Sequence, residues 1–194
     1  MSELFDLRQS FFKEAFSLGL EYEAYLATGS QAEQEKFRAY AAKLPQSEQL
    51  ESCAGQWKRT LHCLVFSGTW CGDCARQCPM LHEIASKSSF VSLRFLDNRE
   101  HSRFADEVRI HGASRVPTVV LLSEDFFELA RFGDRTYSHY RRKFEQERGA
   151  ACDAGLALSP AEELGEELDE WVRIFDRSQC LLALSPLLRQ RYGD

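Results

Sequence analysis

Apolar residues at Leu4, Leu7, Phe11, Ala15, Leu18, Tyr22 and Tyr25 recur at steps of three and four, with Phe12 and Phe16 beside them. That spacing predicts one amphipathic helix, and an aromatic stripe at helical period reads as core rather than as a cofactor site. Gly29 closes it. Ser30 and Glu33 carry a capping-box signature that predicts a second helix to about Lys43, ended by Pro45, and residues 47–57 read as a third. The period then changes. Residues 61–66 are a continuous apolar run of strand length, as a strand covered on both faces requires. Residues 75–85 return to a helical pattern. A second strand is predicted at 90–96 with a turn at Asp97-Asn98, then a short helix at 102–111 ending near Gly112. Strands at 119–122 and 127–132 are separated by Ser123-Glu124-Asp125, a hairpin length, and a charged helix at 137–148 follows.

This order of strand, helix, strand, helix, hairpin and helix is an α/β plan with a mixed sheet. After it, residues 149–158 read as a small-residue linker. Ser159-Pro160-Ala161-Glu162 combines an N-cap, a proline at the first helical position and a glutamate completing the box. Leu164, Leu168, Trp171 and Phe175 give that helix its apolar face, and Ser185-Pro186 opens a last short one. Neither terminal helical segment can bury its stripe alone, so the two are expected to pack beside the central unit. The division this suggests is an N-terminal helical extension (1–56), a central α/β domain (57–148) and a C-terminal helical extension (149–194).

Composition narrows the class of function. A net charge of −6 argues against a nucleic-acid surface, and no apolar run reaches the roughly 18–20 residues of a membrane span. The acidic start, Met1 to Asp6, has no cationic leader followed by an apolar stretch, so a cytoplasmic location is expected. Seven scattered cysteines do not resemble the disulfide framework of a small secreted scaffold. Cys63, in the strand run, and Cys180, beside Leu181-Leu182, read as buried small hydrophobes. Cys53 and Cys152 are undecided.

Two cysteines stand apart from the rest. Cys71 and Cys74, in Thr69-Trp70-Cys71-Gly72-Asp73-Cys74, lie where the first strand gives way to a helix. Free backbone N–H groups and the helix dipole favour a thiolate there, which makes Cys71 a candidate nucleophile and Cys74, one turn on, its resolving partner. Gly72 suits a tight turn between them.

On these residues the chain resembles the thioredoxin-like family. The likeness rests on Trp70-Cys71-Gly72-Asp73-Cys74, on Pro79, on Val116-Pro117-Thr118 and on Gly133, which matches a glycine in that fold's last strand; the markers span about residues 57–143. The nearest look is to small bacterial and cytosolic members reading W-C-x-D-C. The resemblance implies a thioredoxin-like fold with extra helices at both ends, and thiol–disulfide exchange with no cofactor. It also implies a protein or small-molecule disulfide as substrate and a reductase or low-molecular-weight thiol as electron donor. Trp70 would wall the reactive sulfur, Pro117 would match the family's cis-proline, and the Val116 backbone would bind an extended substrate segment.

Two departures follow from the same comparison. The family's buried aspartate six residues before the first cysteine is Val65 here, which leaves Asp73 as the acid inside the motif to serve the thiols. Its charge would also disfavour the Cys71 thiolate, with Arg115 as a candidate counter-charge. Two other readings stay open. One is an interaction module that keeps the fold without turnover. The other is a metal site from Cys71, Cys74, Cys78 and His82, against which stand Pro79 and the poor fit of ligands four apart on a helix to a tetrahedron. A Cys74–Cys78 disulfide is disfavoured, since Cβ atoms at that spacing lie about 5–6 Å apart and disulfides need about 3.8 Å.

Overall fold

Alternation along the first strand decides the layering. In the computed structural model, which describes residues 5–148 and 159–193, β1 (Leu61–Ser67) sends Leu61, Cys63 and Val65 to one side of a sheet and Leu64 and Phe66 to the other, all fully enclosed. β1 pairs in parallel with β2 (Val91–Asp97) and antiparallel with β3 (Thr118–Leu122), which pairs antiparallel with β4 (Glu128–Gly133). The strand order is β2-β1-β3-β4, the mixed sheet expected from the sequence.

The N-terminal stripe forms two helices rather than one. α1 (Gln9–Leu18) ends at Gly19, and Leu20 exchanges both backbone hydrogen bonds with Phe95 of β2, at 2.8 and 2.9 Å, before α2 (Tyr22–Leu26) begins. The chain here crosses the edge of the sheet. Phe12 and Ala15 of α1 bury on the Leu64–Phe66 side, whereas Tyr22, Tyr25 and Leu26 of α2 bury on the opposite one. Only a glycine passes so close to β2, because a Cβ at Gly19 would lie 2.7 Å from Arg94 Cβ. Leu7 and Leu18, expected on the buried stripe, are exposed, and Leu4 lies outside the described residues.

α3 (Gln31–Ala41) begins with the Ser30–Glu33 capping box, and α4 (Glu48–Ala54) with Ser47 accepting from the Leu50 amide. α5 (Gly72–Ser86) follows β1 directly and includes Pro79. The predicted helix at 102–111 is shorter: α6 (Ser102–Ala105) runs into a 3-10 turn, Asp106–Val108, and His111 and Gly112 both take positive φ. α7 (Tyr137–Arg148) is followed by residues 149–158, the expected linker, which lie outside the described residues together with Cys152. α8 (Pro160–Ala183) starts with the Ser159–Glu162 capping box, and α9 (Pro186–Tyr192) follows it.

The apolar face of α8 is spent on the same core as the sheet. Leu164, Leu168, Trp171 and Phe175 are buried, Trp57 stacks on Phe175, and Trp57 Nε1 donates to Asp176 at 3.0 Å. Ser47 Oγ donates to Asp169 at 2.6 Å, so α4 and α8 meet through polar as well as apolar contacts. Cys63 is fully enclosed as expected. Cys180 is exposed, because the α8 face it shares with Leu181 points away from that core.

Candidate functional site

Residue 71 is where β1 has ended and the free amides of α5 begin. Cys71 is the N-cap of α5, its backbone N–H bonded to the Gly68 carbonyl at 3.0 Å and its own carbonyl accepting from Ala75 at 3.0 Å. The side chain is half-buried and its Sγ lies 3.7 Å from the Val116 carbonyl oxygen, to which the thiol donates. Cys74, one turn along, is fully enclosed. The Val116–Pro117 peptide bond is cis. Gly133 of β4 passes behind it: a Cβ there would meet the Pro117 carbonyl oxygen at 3.0 Å. Gly72 is not demanded by the turn, since a Cβ at that position would meet nothing.

The two sulfurs act on one another. The Cys71 thiol is pushed up from its ordinary value, first by its hydrogen bond with Cys74, then by burial and by repulsion from charge on Cys74, while the amides of Cys74 and Asp73 pull it down. The Cys74 thiol is pushed up by its enclosure above all. The helix N-terminus therefore contributes the expected lowering but does not win alone. Cys71 has solvent on one side and the amides of Asp73 and Cys74 on the other, whereas Cys74 has no solvent at all.

Asp73 and Arg115, paired in the sequence reading, are separated in the structure. Both carboxylate oxygens of Asp73 are held by Arg135, at 2.6 and 3.2 Å, in a two-point ion pair. Arg115 instead donates to Asp134 at 3.0 Å, where Tyr140 also donates; burial would raise the Asp134 carboxyl, and the Tyr140 hydrogen bond and the Arg115 charge bring it below the usual range. Gln77 of α5 donates to the Asp134 carbonyl. Arg135 was missed because nothing near it in sequence marks it; the turn from β4 into α7 carries it to the motif.

Trp70 is 42 % exposed beside Cys71, and the Arg99 guanidinium sits 4.0 Å from its ring centroid. Of the sequence-derived residues, Cys71, Cys74, Val116 and Pro117 converge, Trp70 flanks them and Asp73 is turned to Arg135. His82 does not join the sulfurs. Its ring stacks on Tyr22 at 4.2 Å, and among the described residues no group of three or more His, Cys, Asp or Glu is arranged to hold a metal ion. One turn beyond Cys74, Cys78 begins a polar string through Ser67 to Tyr25; Tyr25 was expected in the core and Cys78 as a metal ligand, and Ser67 joins them instead. The signal for it in the sequence is Ser67, a hydroxyl at the end of a strand whose remaining residues, His62 apart, are apolar.

Comparison with known proteins fits this geometry. Over most of the length, the chain is similar to a Pseudomonas aeruginosa protein of unknown function, PA1234, solved by crystallography, at 20% identity and a TM-score of 0.65, with 85% of this chain and 94% of that one covered. It is similar to an HIV epitope scaffold at 20% identity and a TM-score of 0.61, with 82% and 96% covered. These likenesses concern the fold. No curated protein matches the sequence. A family model described as thioredoxin matches residues 19–140, well over half of the chain and inclusive of both motif cysteines, Pro117 and Gly133. The chain belongs to the thioredoxin family.

Proposed function

We propose that the protein is a thiol–disulfide oxidoreductase in which Cys71 is the nucleophile and Cys74 the resolving thiol. The observation that carries this is the asymmetry of the pair: Cys71 is reachable at a helix N-terminus beside the Val116 carbonyl, and Cys74 is sealed directly behind it. Cys71 as thiolate attacks one sulfur of a disulfide, forming a mixed disulfide and expelling the other sulfur as a thiolate. Cys74 then attacks the Cys71 sulfur. The mixed disulfide breaks, the Cys71–Cys74 bond forms, and the substrate sulfur departs with the proton Cys74 gives up. Two electrons pass to the substrate, and an external reductase or small thiol returns them.

Trp70 offers the substrate an apolar wall, the Val116 backbone offers it an extended-chain partner, Pro117 faces the pair and Asp73, balanced by Arg135, sits at the mouth. On this reading residues 57–148 carry the redox unit, and the helices on either side select the partner, a protein or small-molecule disulfide in the cytoplasm, with no role for nucleic acid or membrane. No helix among the described residues is long and apolar enough to cross a membrane.

Reduction of insulin disulfides tests it. Wild type should catalyse the reaction, Cys71→Ser should fall to background, and Cys74→Ser should accumulate a mixed disulfide visible by mass. Equal rates in wild type and Cys71→Ser would leave an interaction module without turnover, the reading favoured by the upward pull on both thiols and by Val65, which places no carboxylate behind Cys74.

A further inference from the structure

To attack, Cys74 has to become a thiolate inside a space from which water is excluded. A buried sulfur anion is costly unless a hydrogen-bond donor faces it. Val65 offers none, and both oxygens of Asp73 are engaged by Arg135. Ser67 offers one. It is the last residue of β1, fully enclosed, and its Oγ accepts a hydrogen bond from the Tyr25 hydroxyl at 2.8 Å. A hydroxyl has one hydrogen and two lone pairs. With the Tyr25 hydrogen accepted, the hydrogen of Ser67 remains for a sulfur. Cys78 Sγ lies 3.4 Å from Ser67 Oγ, and Cys74, one turn before Cys78 on α5, is enclosed in the same core. Tyr25 is 1 % exposed and the other three side chains 0 %, so no water competes for these bonds.

We propose that Ser67 is a catalytic residue of the resolution step, its hydroxyl hydrogen turning from Cys78 to the Cys74 sulfur as that sulfur ionises, and that Tyr25 is the positioning residue that aims it. The proposal rests on the dithiol reading above and supplies what that reading lacks, a group that makes the enclosed thiol usable. Atoms balance without a further reagent. The Cys74 proton leaves with the substrate's departing sulfur, the Cys71–Cys74 bond replaces the mixed disulfide, and Ser67 and Tyr25 keep their hydrogens throughout. The titratable groups facing this space are Cys71 and Cys78 from α5 and Tyr25 from α2, with Asp97 at the end of β2 facing Tyr25.

The test separates the two chemical steps with dithiobisnitrobenzoate as the probe. In full-length protein with Cys53, Cys152 and Cys180 replaced by serine, attack by Cys71 releases one thionitrobenzoate and attack by Cys74 releases a second, both followed by stopped-flow absorbance across pH. Ser67→Ala and Tyr25→Phe should leave the first release within about twofold of the parent. The second should slow by about tenfold in Ser67→Ala, the rate equivalent of losing one hydrogen bond to a charged group, and its pH midpoint should move upward in both variants. Parent-like second release in the folded variants would overturn the proposal, and so would a slower release with an unmoved midpoint, which marks a merely structural role. If Ser67→Ala does not fold, Tyr25→Phe, which removes only one oxygen, decides alone. Failure of the parent itself to give a first or second release is a different result: it removes the dithiol reading, and this proposal with it.

Discussion

A carboxylate two residues from a cysteine sulfur opposes its ionisation, and Arg135 pairs with that carboxylate, Asp73. The ion pair is only partly exposed, so its removal has a chemical consequence that solvent does not erase. Arg135→Ala should slow alkylation of Cys71 by iodoacetamide at neutral pH about threefold, a shift of roughly half a unit in thiol ionisation from one uncovered nearby charge. Arg115→Ala, whose partner is Asp134, should change that rate less. Equal rates for Arg135→Ala and wild type would mean that the pair does not tune the sulfur. Because the Cys71 thiol is held up by Cys74 and by burial, its alkylation rate in wild type should keep rising beyond pH 9.0, the ordinary thiol value.

Gly19 shows how one position sets the course of two elements. A Cβ there would lie 2.7 Å from Arg94 Cβ, the root of a side chain rather than its flexible end, so the α1–α2 crossover would have to lift from β2. Gly19→Ala should cost about 1–3 kcal/mol, the range for overpacking a tight contact. Denaturant melting measures it, and faster exchange of the Leu20 and Phe95 amides locates it. This crossover was also the least legible feature in the sequence. The apolar spacing runs through Leu18 and Tyr22 without a visible break, and what interrupts it is a pairing with Phe95, far along the chain. Elements that close on themselves were read correctly: both capping boxes, at Ser30–Glu33 and Ser159–Glu162, form as their spacing requires. The site divides the same way. Cys71, Cys74 and Pro117 were legible because they lie in local motifs, whereas Arg135 and Tyr25 reach the motif only through the fold. Cys180 was misread because an apolar neighbour in sequence, Leu181, is itself 42 % exposed.

At the scale of the whole molecule, one enclosed carboxylate ties the motif helix to the C-terminal part of the chain. Glu167 of α8 is 0 % exposed and accepts from Arg76 of α5 at 2.9 and 3.0 Å and from Arg142 of α7, with His139 Nδ1 at 3.3 Å. Burial would raise its carboxyl, but His139 beside it and the hydrogen bonds and charge of Arg76 bring it down to about 2 from 4.5. Glu167→Gln keeps the shape and leaves two guanidinium groups facing a neutral amide. Breaking a buried pair in this way costs about 3–5 kcal/mol, which in a chain of this size lowers Tm by about 10 °C. The pH dependence identifies the group responsible. Since the folded-state value lies below that of the free side chain, the stabilisation is complete above pH 4.5 and is lost as the pH falls towards 2. Unfolding free energies of wild type and Glu167→Gln, measured by denaturant at a series of pH values, should differ by a constant amount above pH 4.5 and converge below it. A difference that stays constant down to pH 2 would show that the link between α5, α7 and α8 depends on the shape of residue 167 and not on its charge.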